Sequence, residues 1–369
     1  MGDSKVVPLG QVLDEDPEAK AKAAQADQAR TQRPKNLIKS LSELGDGMWL
    51  DKKRDPRPML LKTEKGVDFL PLGIVAMLAA PGGSGKSLAL LQLAVSIATG
   101  IDWFGCFKPT TTGRVLVAFG EEDNPEIKGR LQDISGALKM TSENKKQVFD
   151  NIDVMSLRGT PCKLQDDNDE PSNFAKDFQI DLTEKAGTHG PWSLIILDPA
   201  SRFMGSEAET SNSAATRFIE ICEKFTMLPG SPTVLLSHHT SKAALGDAAK
   251  NQSIARGSSA LVDGARQLLS MFPAGEDEQL EGSSVLTFEM LKTNYTPRMK
   301  SINLKNNGHA ITRITDENKE NLESLGSAKS SKQARANSQY SKGKFGHGNR
   351  SADVSAGEND DGISSCIPK

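Results

Sequence analysis

The densest chemical signal in this sequence is Ala80-Pro81-Gly82-Gly83-Ser84-Gly85-Lys86-Ser87. Glycines at three positions let successive backbone N–H groups turn toward one point, a lysine adds a compact positive charge, and a serine opens a helical run. That set suits an anion with several oxygens, and the spacing fits the phosphate-loop pattern with alanine in place of its first glycine. Pro81, Gly82, Gly83, Ser84, Gly85, Lys86, Ser87 and Leu88 are the expected nucleotide contacts, with Lys86 reaching the β- and γ-phosphates and Ser87 ligating Mg2+. Asp198 ends the apolar run Leu194–Leu197. Beside a phosphate loop, a carboxylate there reads as a second donor to the Mg2+ shell rather than a cap of the next turn.

Hydrolysis also needs a group that orients or deprotonates water. Glu121 and Glu122 stand just past the apolar run Val115–Phe119, beside a γ-phosphate if that strand neighbours the loop strand; one of two such adjacent acids would be left to solvent. His238 and His239 end another apolar run and read either as a γ-phosphate sensor or as an ordinary strand end. No NKxD-type run for guanine and no LSGGQ-type segment of a transporter ATPase occurs.

Short β-rich runs must hold these residues: 74–79, 115–119, 152–157, 193–198 and 233–238, alternating with helical stretches. Such alternation predicts an α/β fold, a mostly parallel sheet with helices on both faces. Ligands of parallel sheets lie beyond the strands' carboxyl ends, so Gly82, Glu121, Asp198 and His238 should share one edge. The almost wholly apolar run after Lys86, ended by Gly100, predicts a helix buried on the sheet. The last core segments predict an antiparallel end, with a hairpin turned at Asn306-Asn307-Gly308.

The domain reading is an N-terminal extension over 1–50, partly helical from Asp16 or disordered, a nucleotide-binding domain over 51–316, and a Ser/Lys/Gly-rich tail over 317–369 with the composition of disorder. The tail's lysines, arginines, Tyr340 and Phe345 read as a solvated segment before they read as a nucleic-acid contact. A net charge of −3 gives no global basic field. Four scattered cysteines rule out a close-paired zinc or redox motif. With no membrane-length apolar run and no secretory pattern, a cytoplasmic location is expected and no membrane partner.

The ordered succession LAAPGGSGKS, GRVLVAFGEEDNPEIKGRL, LIILDPASRF, LLSHHTSK, ARGSSALVDGARQ and LKTNY resembles the RecA-like ATPases of the RepA type, over about residues 56–315. That family includes hexameric replicative helicases of plasmids and many phage and bacterial ATPases of unassigned role. The resemblance implies a RecA-like P-loop core, ATP as the nucleotide, a homo-oligomeric hexameric ring, single-stranded DNA as the polymer, and replication or recombination proteins as possible partners. By its spacing to Arg130, Glu121 matches the catalytic glutamate, with Glu122 the fallback. His238 matches the γ-phosphate sensor, and Arg266 matches a finger that reaches the neighbouring subunit's nucleotide. Read from its neighbours alone, Arg266 would instead pair with Asp263. Lys292 and Tyr295 match an element near the same interface. DNA-contacting loops would fall at 204–213 and 240–255, the latter with Lys242, Lys250, Asn251 and Gln252.

Overall fold

The computed structural model describes residues 39–240, 259–274 and 283–315. The chain forms two compact units, Met1–Pro56 and Arg57–Lys369. In the first, the described residues make two short 3₁₀ turns, Leu41–Leu44 and Met48–Leu50, with Leu41, Met48 and Leu50 exposed. The helix expected from Asp16, the tail, and the loop from Ser241 to Ala255 with its lysines lie outside the described residues.

In the second unit the five parallel strands expected from the sequence are present, each within one residue of its expected bounds. They are β3 (Val75–Ala80), β5 (Arg114–Phe119), β6 (Ile152–Ser156), β7 (Trp192–Asp198) and β8 (Thr233–His239). With β9 (Gln267–Pro273), β10 (Ser284–Thr293), β11 (Ile302–Asn306) and β12 (Ile311–Arg313) they build a nine-stranded sheet in the order β12-β11-β10-β9-β3-β8-β7-β5-β6. Pairing is parallel from β9 to β6 and antiparallel from β9 to β12, so the sheet has the expected antiparallel end. A second, three-stranded sheet, β2-β1-β4, joins β1 (Met59–Thr63), β2 (Asp68–Pro71) and β4 (Phe107–Pro109).

Alternation along the strands sends side chains to two cores. Ala76, Leu78 and Ala80 of β3 join Val115, Val117 and Phe119 of β5 under helix α1 (Lys86–Thr99) and α2 (Asn124–Ala137). Val75, Met77 and Ala79 join Leu116 and Ala118 on the other face, against α4 (Asn173–His189) and α6 (Asn212–Phe225). The remaining α-helices among the described residues are α3 (Ser142–Asn151), the single turn α5 (Ala200–Phe203) and α7 (Ser259–Gly264). Helices on both faces of the sheet explain why its central strands read as unbroken apolar runs.

Helix α1 is buried along nearly its whole length and ends at Gly100, which is left-handed with φ 82°. The first core is sealed by stacked aromatics: Phe69 on Phe107 at 4.0 Å and Trp103 on Phe104 at 4.1 Å, with Phe288 edge-on to Trp103. Trp103 also donates its indole N–H to the Ala89 carbonyl at 2.9 Å, fastening the small sheet's connection to α1.

Candidate functional site

The carboxyl ends of β3, β8, β7 and β5 lie side by side in the sheet, and a cavity of about 460 Å³ opens beyond them. Its floor is the loop between β3 and α1. Gly83, Gly85, Lys86, Ser87 and Leu88 line it. Pro81 and Ser84 frame the loop instead, since the Ser84 hydroxyl donates to the Pro81 carbonyl at 2.7 Å, and Gly82 is exposed. Gly85 caps α1 with φ 88°, a left-handed conformation that glycine adopts without a Cβ penalty, and makes no side-chain cap hydrogen bond. The helix's first N–H groups therefore face the cavity together with the positive end of its dipole.

Lys86 is buried, and its ammonium donates to the Ala80 carbonyl at 3.0 Å, the Pro81 carbonyl at 3.1 Å and His239 Nδ1 at 3.2 Å. Burial lowers its pKa, while the carboxylates of Asp198 and Glu121 oppose that shift. Asp198 is 2% exposed, and its Oδ2 makes no hydrogen bond among the described residues. A buried carboxylate oxygen without a donor is costly; beside the Ser87 hydroxyl it is a hard oxygen ligand of the kind Mg2+ takes. These residues fit the ion that the phosphate-loop class implies.

Glu121 and Glu122 both line the cavity. The condition attached to them in the sequence does not hold, because β8 and β7 separate β5 from the loop strand β3. They reach the cavity because the chain turns at Gly120 across the end of β7, its N–H donating to the Asp198 carbonyl at 2.8 Å. Only glycine fits there, since a Cβ would lie 2.7 Å from Cβ of Arg202.

The two acids differ in setting. Glu121 is exposed, and among the described residues no hydrogen bond or ion pair holds its carboxylate. Glu122 is held by Arg130 at 3.1 Å and lines the same cavity as Ser87. Burial first and the nearby Asp198 second raise its pKa, with Arg130 opposing. Arg130 also holds Glu126 one turn back on α2 at 2.8 Å, and Asp123 caps that helix by accepting the Glu126 N–H.

Period two along β8 sends the two histidines to opposite faces of the sheet. His239 falls on the α1 side and lines the cavity. His238, the residue matched to the sensor by resemblance, is 2% exposed and shares the face of Val234 and Leu236, which belongs to the opposite core. The sequence signal was there in the alternation, but a pair of adjacent histidines does not say where a strand's register starts.

Arg266 lies elsewhere. Its backbone N–H donates to the carbonyl of Val75, the first residue of β3, whereas the phosphate loop follows the last. Its guanidinium is 3.7 Å from Glu223 of α6, not paired with Asp263 as its sequence neighbours suggested. Lys292 donates to the carbonyls of Val262 and Asp263 at 2.8 and 2.7 Å, and Tyr295 carries the Arg57 guanidinium 4.0 Å over its ring. Lys292, Tyr295 and Arg266 thus cluster at the amino-terminal side of the parallel strands. Asp133, and Gly308 of the hairpin turn, also line the cavity; nothing in the sequence placed them there, because they come from distant segments.

A glycine-rich loop between a buried strand and a buried helix, with a lysine, a serine and a strand-end aspartate converging on one cavity, defines a P-loop nucleotide-binding protein. A family model described as AAA domain matches residues 42–244, more than half of the 369 residues. The chain belongs to this family of P-loop ATPases. Among the described residues no helix is long and apolar enough to cross a membrane.

Proposed function

We propose that the protein is an ATP-hydrolysing RecA-like enzyme of the RepA type, forming a ring, hexameric by the resemblance, that couples hydrolysis to movement on or remodelling of single-stranded DNA. The observation that carries the enzymatic part is the convergence in one cavity of Lys86, Ser87, the unpartnered Asp198 oxygen and a glutamate not yet engaged. Support for the DNA and ring parts comes from the resemblance of the ordered motifs.

Ser87 and Asp198 would hold Mg2+, which supplies positive charge to the phosphate oxygens. Lys86 exchanges its loop carbonyls for β- and γ-phosphate oxygens, and the free N–H groups at the start of α1 take the remaining negative charge. Glu121, free to turn, accepts the proton of the attacking water; Glu122, fixed by Arg130, shapes the ion's surroundings. His239, in contact with Lys86, is better placed than His238 to respond to a γ-phosphate. Arg266 completes the site of a neighbouring subunit.

The test is the ATP hydrolysis rate of the purified protein with and without single-stranded DNA, using Lys86→Ala to subtract contaminating activity. Hydrolysis that depends on Lys86 and rises severalfold with DNA is expected. Lys86-dependent hydrolysis indifferent to DNA would sink the motor reading and favour an ATP-dependent switch that recruits replication or recombination partners. Hydrolysis undiminished in Lys86→Ala would sink the site itself.

A further inference from the structure

The cavity has an end away from the lysine. Asp133 on α2 and Gly308, in the turn between β11 and β12, line it there. That turn is braced from within: Asn306 Oδ1 accepts the Gly308 N–H at 2.9 Å, and Asn307 Oδ1 accepts the N–H groups of His309 and Ala310 at 3.0 and 2.9 Å. It is also tied to α1. The buried Gln92 amide donates to the Ile311 carbonyl at 2.8 Å and accepts the Ile311 N–H at 2.9 Å. Asn306 packs so closely on the phosphate loop that a Cβ on Gly85 would lie 2.6 Å from its Nδ2.

From this anchored turn His309 Nδ1 reaches Asp133 Oδ1 at 3.2 Å, joining the α2 wall of the cavity to the hairpin wall. Both side chains are largely exposed, 63% and 48%, so the contact adds little to folding. Its location gives it a different consequence. Glu126, Arg130 and Asp133 fall at i, i+4 and i+7, one face of α2, and that face runs along the cavity from the Glu122 end to the hairpin.

We propose that Asp133 and His309 form a strap across the nucleoside end of the cavity. The strap parts for a nucleotide to enter or leave and sets its dwell time. The inference rests on the nucleotide reading of the cavity: with the phosphates at Lys86 and Ser87, the nucleoside extends along the remaining lining, toward Asp133 and Gly308. Neither residue handles phosphate, so the strap governs release and not the chemical step.

The experiment is a stopped-flow chase of fluorescently labelled ADP by excess unlabelled ADP. It uses the full chain and its Asp133→Ala, His309→Ala and exchanged Asp133→His/His309→Asp forms. Thermal melting checks that each variant is folded. Each single variant is expected to release label roughly two- to fivefold faster, and the exchanged pair to return toward the original rate. Release at the original rate from both single variants overturns the strap. Faster release that the exchanged pair does not correct also overturns it, because each side chain would then act through separate contacts. If the unaltered protein binds no labelled ADP, the nucleotide reading of the cavity fails first, and the strap falls with it.

Discussion

At the scale of single residues, the adjacent glutamates after β5 share a sequence context but not a chemical one. Glu122 already accepts from Arg130, and a carboxylate so occupied has little freedom to take a proton from water. Glu121 stands exposed at the same cavity, close enough to Lys86 for its charge to act on that lysine. Replacing Glu121 with glutamine is therefore expected to lower kcat roughly a hundredfold or more, the range for loss of a general base, with ATP affinity nearly unchanged. Glu122→Gln is expected to raise severalfold the Mg2+ concentration for half-maximal rate, with a smaller loss in kcat. Steady-state assays over an Mg2+ series separate the two, and the reverse pattern would exchange their roles. The same scale shows where sequence reasoning stops. The phosphate loop was legible because its chemistry is contiguous; the pairing of Glu122 with Arg130 was not, because the two lie eight residues apart, one ahead of α2 and the other within it.

At the scale of elements, the parallel strands were legible because helices cover both faces and leave unbroken apolar runs. The small sheet escaped notice for the opposite reason. Its strands are three to five residues long, and β4 is separated from β1 and β2 by the whole of β3 and α1, so no local period marks that pairing. The tie between α1 and the hairpin was equally hidden, since Gln92 looks like a polar interruption in an apolar helix until its partner, 219 residues away, is known. That tie predicts a measurable cost. Gln92→Leu keeps the volume but leaves the buried N–H and carbonyl of Ile311 without partners, and each such group costs about 1–3 kcal/mol. A fall in unfolding free energy of roughly 2–4 kcal/mol is expected by urea denaturation, with nucleotide release accelerated because the turn carrying Gly308 loses its anchor. A change below about 0.5 kcal/mol would mean that the hairpin is held by its strand pairing alone.

At the scale of the whole molecule, the placement of Arg266 gives the proposed ring a test. The arginine sits beside the first residue of β3 and the phosphate loop follows the last. A six-residue strand at about 3.3 Å per residue separates them by roughly 15–20 Å. An arginine side chain does not span that distance, so any action of Arg266 on a nucleotide must be on another chain's. Lys86→Ala and Arg266→Ala proteins, each expected to be inactive in hydrolysis, should then regain activity when mixed, because some interfaces combine an intact Lys86 from one chain with an intact Arg266 from the next. Random exchange in a closed ring with head-to-tail interfaces restores roughly a quarter of the sites. Activity near that fraction, appearing only after the two proteins are given time to exchange subunits, would support the trans arrangement. No recovery, or an Arg266→Ala protein that turns over ATP normally by itself, would return Arg266 to a surface ion pair with Glu223 and sink the trans role that the proposed ring gives it.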